Sequence, residues 1–90
     1  MFVSVLHQIK DADTFFSKGE DVAKKAPPNI KPISFLPSED KKQAVCLWEA
    51  DSLQSVKTYV EQLTGTSSIN TYFPVNAELA MGLPTEAIKR

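Results

Sequence analysis

The sequence predicts an α+β domain whose elements run β-α-β-β-α-β. Two observations carry this expectation. First, the apolar run Val45-Cys46-Leu47-Trp48 gives way at Asp51-Ser52 to Leu53, Val56, Val60 and Leu63, which recur at three- and four-residue steps. That change of period marks a buried strand passing into an amphipathic helix. Second, Pro32 and Pro74 fall inside two other strand candidates. Proline cannot donate to a sheet ladder, so both strands belong at sheet edges, which is where this element order places them.

In chain order, residues 2–9 alternate and form the first strand, with Val3, Val5, His7 and Ile9 on one side and Phe2, Ser4, Leu6 and Gln8 on the other. Asp11 or Asp13 then caps a helix running to about Lys25, with Phe15, Phe16, Val22, Ala23 and Ala26 on its buried face. Gly19 weakens its middle by about 1 kcal/mol relative to alanine. Lys24 and Lys25 complement the end of the helix dipole, and Pro27-Pro28 stops the helix. The second strand, 30–36, turns at Pro37-Ser38-Glu39-Asp40 into the third, 43–49. The second helix, 52–64, takes Asp51 or Ser52 as its cap, Gln54 as the partner in a near capping box, and Gly65 as its terminator. Residues 69–75 form the fourth strand, and Asn76 caps a short C-terminal helix through Met81, stopped by Gly82 and Pro84. The domain spans 1–84, with 85–90 as a tail.

Right-handed crossovers give this order an antiparallel ferredoxin-like sheet in spatial order 4-1-3-2. Strands one and three are expected side by side in its centre, running parallel. Both helices cover one face. The other face needs a cover, and a second copy, packed sheet to sheet, supplies one.

The chain has 90 residues and a net charge of -1. At that size a domain buries roughly two-thirds of its unfolded surface, so association is a natural source of stability. The charge balance excludes a basic surface for nucleic acid. A single cysteine excludes an intrachain disulfide and fits a reducing compartment, so the cytoplasm is the default location. Polar residues at the N-terminus (His7, Gln8, Lys10) argue against a signal peptide or a membrane span. The three glycines are isolated, which excludes a phosphate-binding loop. No cofactor is called for.

The architecture resembles the dimeric α/β-barrel superfamily of small ferredoxin-like proteins. More narrowly, Ser38-Glu39-Asp40 followed by Cys46-Leu47-Trp48-Glu49-Ala50 and Ser52 is similar to a family of short, mostly uncharacterised bacterial proteins. Some members of that family bind nickel through histidines, whereas the only histidine here is His7. The wider superfamily contains cofactor-free monooxygenases, lactone isomerases and haem-handling enzymes, and a shared fold does not imply a shared reaction.

The residues that can carry chemistry are few. Parallel central strands would bring His7 beside Glu49, and a carboxylate there would orient the imidazole as a general base. The structural alternative is a strand-end histidine and a local acceptor. Cys46 and Trp48 share a face with Ala44, which leaves room for a flat apolar ligand beside the indole or simply fills the core. Neither a second cysteine nor a nearby basic residue marks Cys46 as a nucleophile. Asn70 and Tyr72 share a face of the fourth strand, and Tyr72 is a candidate hydrogen-bond donor to a ligand. A metal site would need His7 copies or Cys46 to converge with other ligands. Three functions stay open: a small-molecule-binding or interaction module, a cofactor-free isomerase or monooxygenase using His7, Glu49 and Tyr72 on a hydrophobic substrate, and a nickel or other transition-metal binder.

Overall fold

A computed structural model describes residues 1–84; the side chains of Glu20 and Ala23, and the expected tail at 85–90, lie outside the described residues. Seven elements follow one another: β1 (Phe2–Ile9), α1 (Ala12–Ser17), α2 (Gly19–Lys24), β2 (Ile30–Pro37), β3 (Gln43–Ala50), α3 (Leu53–Thr64) and β4 (Ser68–Pro74). The four strands form one sheet in the order β2-β3-β1-β4, which is the expected 4-1-3-2 read from its other edge.

Every neighbouring pair in the sheet is antiparallel, including β1 with β3. The expected parallel centre is therefore wrong, for a topological reason. The crossover through α1 and α2 sets β2 parallel to β1, and the hairpin after β2 then reverses β3 against both. That hairpin is fixed by its serine and aspartate. The Ser38 hydroxyl donates to Asp40 Oδ1 (2.7 Å), which also accepts from the Lys42 N–H (3.0 Å), while Lys41 takes a positive φ of 64°.

The first helical segment is broken in two. Asp11 caps it by accepting from Thr14 N–H (3.2 Å), but at Lys18 the backbone tightens, with its N–H donating back to the Phe15 carbonyl (3.3 Å). The break falls beside Gly19, where helix propensity is weakest. The Tyr59 hydroxyl donates to the Val22 carbonyl (2.8 Å) and ties α2 to α3. Ser52 caps α3 by accepting from Ser55 N–H (3.1 Å), and Asp51 braces the corner by accepting from the Ser55 hydroxyl (2.7 Å). Gln54 does not close a capping box; its amide donates to Thr58 Oγ1 one turn on (3.2 Å). Gly65 ends α3 with φ at +54°.

The expected C-terminal helix does not form. Asn76 Oδ1 accepts from Glu78 N–H (3.1 Å), and the Ala80 N–H donates to the Asn76 carbonyl (3.0 Å), but one turn is all that follows. Leu79 and Met81 are 81% and 96% exposed, so no apolar face packs to sustain a helix.

Strand alternation sorts the side chains. Val3, Val5, Trp48 and Val56 are fully buried between the sheet and the helices. The opposite sheet face carries Leu36, Val45, Ile69 and Phe73, all large and exposed. No helix among the described residues is long and apolar enough to cross a membrane.

Candidate functional site

Between the sheet and the α1–α2 segment lies a cavity of about 300 Å³ with predominantly apolar walls. Its shape follows from two backbone irregularities. One is the break between α1 and α2 at Lys18-Gly19, two residues that line the cavity. The other is a bulge in β2 between Pro32 and Ser34. Side chains alternate along a strand, so one extra residue moves everything beyond it to the other face. Phe35 consequently pairs with Cys46 on the helix side, and Leu36 goes to the outer face with Val45. Phe35, Phe15 and Phe16 then form an aromatic wall, with ring centroids 5.2–6.2 Å apart.

His7 forms the polar floor. Its side chain is 3% exposed, and its ring meets Phe15 edge-on at 5.1 Å. Nδ1 lies 2.6 Å from Asn70 Oδ1, and Nε2 lies 3.1 Å from Cys46 Sγ. The tautomer follows from Asn70. Its Nδ2 donates to Glu61 Oε2 (2.9 Å) and Thr64 Oγ1 (3.0 Å), so Oδ1 must be the atom facing His7. Nδ1–H therefore donates to Asn70, and Nε2 is left as an acceptor for the Cys46 thiol. Asn70 Oδ1 also accepts from the Ser68 hydroxyl (2.8 Å).

The electrostatics keep this pair uncharged. Burial lowers the His7 pKa below its usual 6.5, a shift that the Asn70 hydrogen bond and the Glu61 charge only partly oppose. Burial pushes the Cys46 thiol up to about 12. At neutral pH the site holds a thiol and a neutral imidazole. Behind it, the Tyr72 hydroxyl donates to Glu61 Oε2 (2.6 Å). That bond and the one from Asn70 hold the Glu61 carboxyl below its usual range, and burial with the neighbouring carboxylate raises the Tyr72 phenol.

The expected residues thus divide. Cys46, Trp48 and His7 line the cavity. Asn70 and Tyr72 share a face as read, but neither is part of the cavity wall: Asn70 orients His7, and Tyr72 is engaged with Glu61. Glu49 is not beside His7. In the antiparallel register it pairs with Phe2, whereas His7 pairs with Ala44, so the two side chains sit toward opposite ends of the sheet and on opposite faces. Cys46, read as lacking a basic partner, has one in His7. Glu61 and Thr64 did not stand out in the sequence, since both look like ordinary positions on α3. Among the described residues, no group of three or more histidine, cysteine, aspartate or glutamate side chains is arranged to hold a metal ion.

No family model matches the chain, and no curated protein is significantly similar to it.

Proposed function

We propose that this chain is a small-molecule-binding domain of the dimeric α/β-barrel type, taking a compact, neutral, largely apolar ligand between the sheet and α1–α2. The observation that carries this reading is the cavity of about 300 Å³, with predominantly apolar walls and a floor that presents Cys46 and His7. That volume is at the small end of the range of about 300–1,000 Å³ usual for ligand sites. Trp48 is the sole tryptophan of the chain and lines the cavity, so it reports on occupancy. Titration with acetophenone, a flat apolar ketone, should change Trp48 fluorescence saturably, and Val22→Phe, which narrows the cavity, should weaken binding at least tenfold. A linear, unsaturable response in the parent protein would sink the reading.

The second copy belongs to the same proposal. The sheet face away from the helices exposes Leu36 (65%), Val45 (41%), Ile69 (50%) and Phe73 (52%). Packing two such faces together covers them and adds the apolar burial that a domain of this size lacks.

A second reading, a cofactor-free isomerase of a hydrophobic molecule, is supported by one observation: His7 is held in a single tautomer, with Nε2 turned to Cys46, which lines the cavity. Asn70, rather than Glu49, then orients the base. Protein-catalysed exchange of the acetophenone methyl protons in deuterium oxide separates this reading from passive binding.

A further inference from the structure

Cys46, His7 and Asn70 stand in the order thiol, imidazole, amide: Sγ to Nε2 is 3.1 Å, and Nδ1 to Oδ1 is 2.6 Å. A nucleophile within hydrogen-bond reach of a base, with that base oriented by a third group, is the geometry of an activated nucleophile. Here the group opens onto the apolar cavity, which both Cys46 and His7 line. Resting on the binding reading above, we propose that Cys46, with His7 as its base, adds covalently to the β-carbon of an α,β-unsaturated carbonyl compound bound in the cavity.

The class of electrophile follows from what surrounds the thiol. Cys46 lies on β3, which is paired on both sides, with β1 and with β2. The backbone N–H groups of β3 beside Cys46 serve those two ladders, so the strand that carries the thiol offers none to hold the localised oxyanion of an acyl-transfer intermediate. Conjugate addition spreads the developing charge over an enolate and makes less demand on such donors.

The step balances without an oxidant or reductant. The sulfur–carbon bond forms at the β-carbon while the S–H proton passes to His7 Nε2. The C=C π pair moves toward the carbonyl, giving the enolate. The imidazolium then returns the proton to the α-carbon, and His7 is neutral again. Asn70 keeps Nδ1–H occupied throughout, so Nε2 is the nitrogen that exchanges the proton. Asn70 is a positioning residue, and His7 and Cys46 are the reacting groups.

The neutral resting pair makes the proposal distinguishable from simple alkylation of a buried thiol. An unassisted thiol with a pKa of about 12 reacts only through its thiolate, so its rate rises about tenfold per pH unit. Base-assisted addition depends instead on neutral imidazole. That form is already dominant above 6.5, because the His7 pKa is lowered, and the rate is then flat.

The experiment measures adduct formation with N-ethylmaleimide by intact mass spectrometry between about pH 7 and pH 9, alongside binding of the saturated analogue N-ethylsuccinimide followed by Trp48 fluorescence. The expected result is one adduct per chain on Cys46, at a rate changing less than threefold over that range. Cys46→Ser should abolish the adduct while keeping a cooperative thermal unfolding transition, which assigns the adduct to that thiol in a folded chain. A rate that climbs about a hundredfold over the two pH units overturns the proposal, since His7 then gives no assistance. Succinimide binding without any adduct also overturns it and leaves the binding reading standing. Neither binding nor adduct removes both.

Discussion

Asn70 is the residue on which the proposed chemistry turns, and replacing it with leucine tests that with a magnitude. The side chain makes four hydrogen bonds: it accepts from His7 and Ser68 and donates to Glu61 and Thr64. Asn70→Leu keeps similar bulk and removes all four. Two losses are mild. Thr64 still donates to the Val60 carbonyl (3.0 Å), and Glu61 still accepts from Tyr72 (2.6 Å). The serious loss is at His7, 3% exposed, whose Nδ1–H is left without an acceptor. An unsatisfied buried donor costs about 1–3 kcal/mol, and the Ser68 bond adds about 0.5–1. The sum, about 1.5–4 kcal/mol, corresponds in a domain of this size to a fall of about 6–32 °C in Tm. Thermal and denaturant unfolding measure the stability loss. Nitrogen-15 NMR of the imidazole measures the second consequence, because His7 can recover part of the cost by moving its proton to Nε2. That tautomer no longer accepts from Cys46, so maleimide addition should slow more than tenfold even if the protein stays folded. Asn70→Asp, which keeps the acceptor, should retain the Nδ1–H tautomer and raise the His7 pKa. A loss below about 0.5 kcal/mol with the tautomer unchanged would refute the assignment of Asn70 as the group that orients His7.

Two further predictions follow from the same geometry. Because burial lowers the His7 pKa, the folded state binds this proton less readily than the unfolded chain; its contribution is whole above pH 6.5 and is lost as the pH falls through 6.5 toward the native value. Tm should therefore drop between about pH 7 and pH 5, before the carboxylates titrate, and His7→Gln should flatten that segment; an unchanged slope in a folded variant would assign the loss to other groups. On the outer sheet face, Leu36→Asp with Phe73→Asp should turn a dimer into a monomer in sedimentation velocity. Both positions are more than half exposed in the single chain, so each substitution should alter the monomer's own stability by only about 0.5 kcal/mol, and an unchanged sedimentation coefficient would refute the sheet-to-sheet dimer.

Much of this was written in the alternation of apolar residues. The face shared by Val3, Val5 and His7, and the face shared by Ala44, Cys46 and Trp48, are both the helix-side face of the sheet. What alternation does not encode is strand direction, which comes from connectivity. Reading β1 and β3 as parallel placed Glu49 beside His7. In the antiparallel register His7 pairs with Ala44 and Val5 with Cys46, so His7 and Cys46 are diagonal neighbours on one face, within reach of each other's side chains. The pair was therefore within reach of sequence reasoning once the direction was right. The bulge after Pro32 was not, because a proline in an edge strand does not say where the register slips, and that slip decides that Phe35 faces the cavity. The failure of the C-terminal helix is a matter of packing. Asn76 caps as expected, but capping cannot hold a helix whose apolar residues touch nothing.

The charge arrangement constrains what the cavity can accept. At its floor both ionisable groups are pushed toward their neutral forms, so a ligand's charge has no counter-charge there, and an anion or a bare cation would be buried unpaired. Among the described residues, the one cationic side chain on the wall is Lys18, which is exposed and stands at the break between α1 and α2. A ligand matched to both ends would carry its neutral carbonyl inward to Cys46 and His7 and its more polar end outward toward Lys18. The break that lines the cavity would then also supply its polarity.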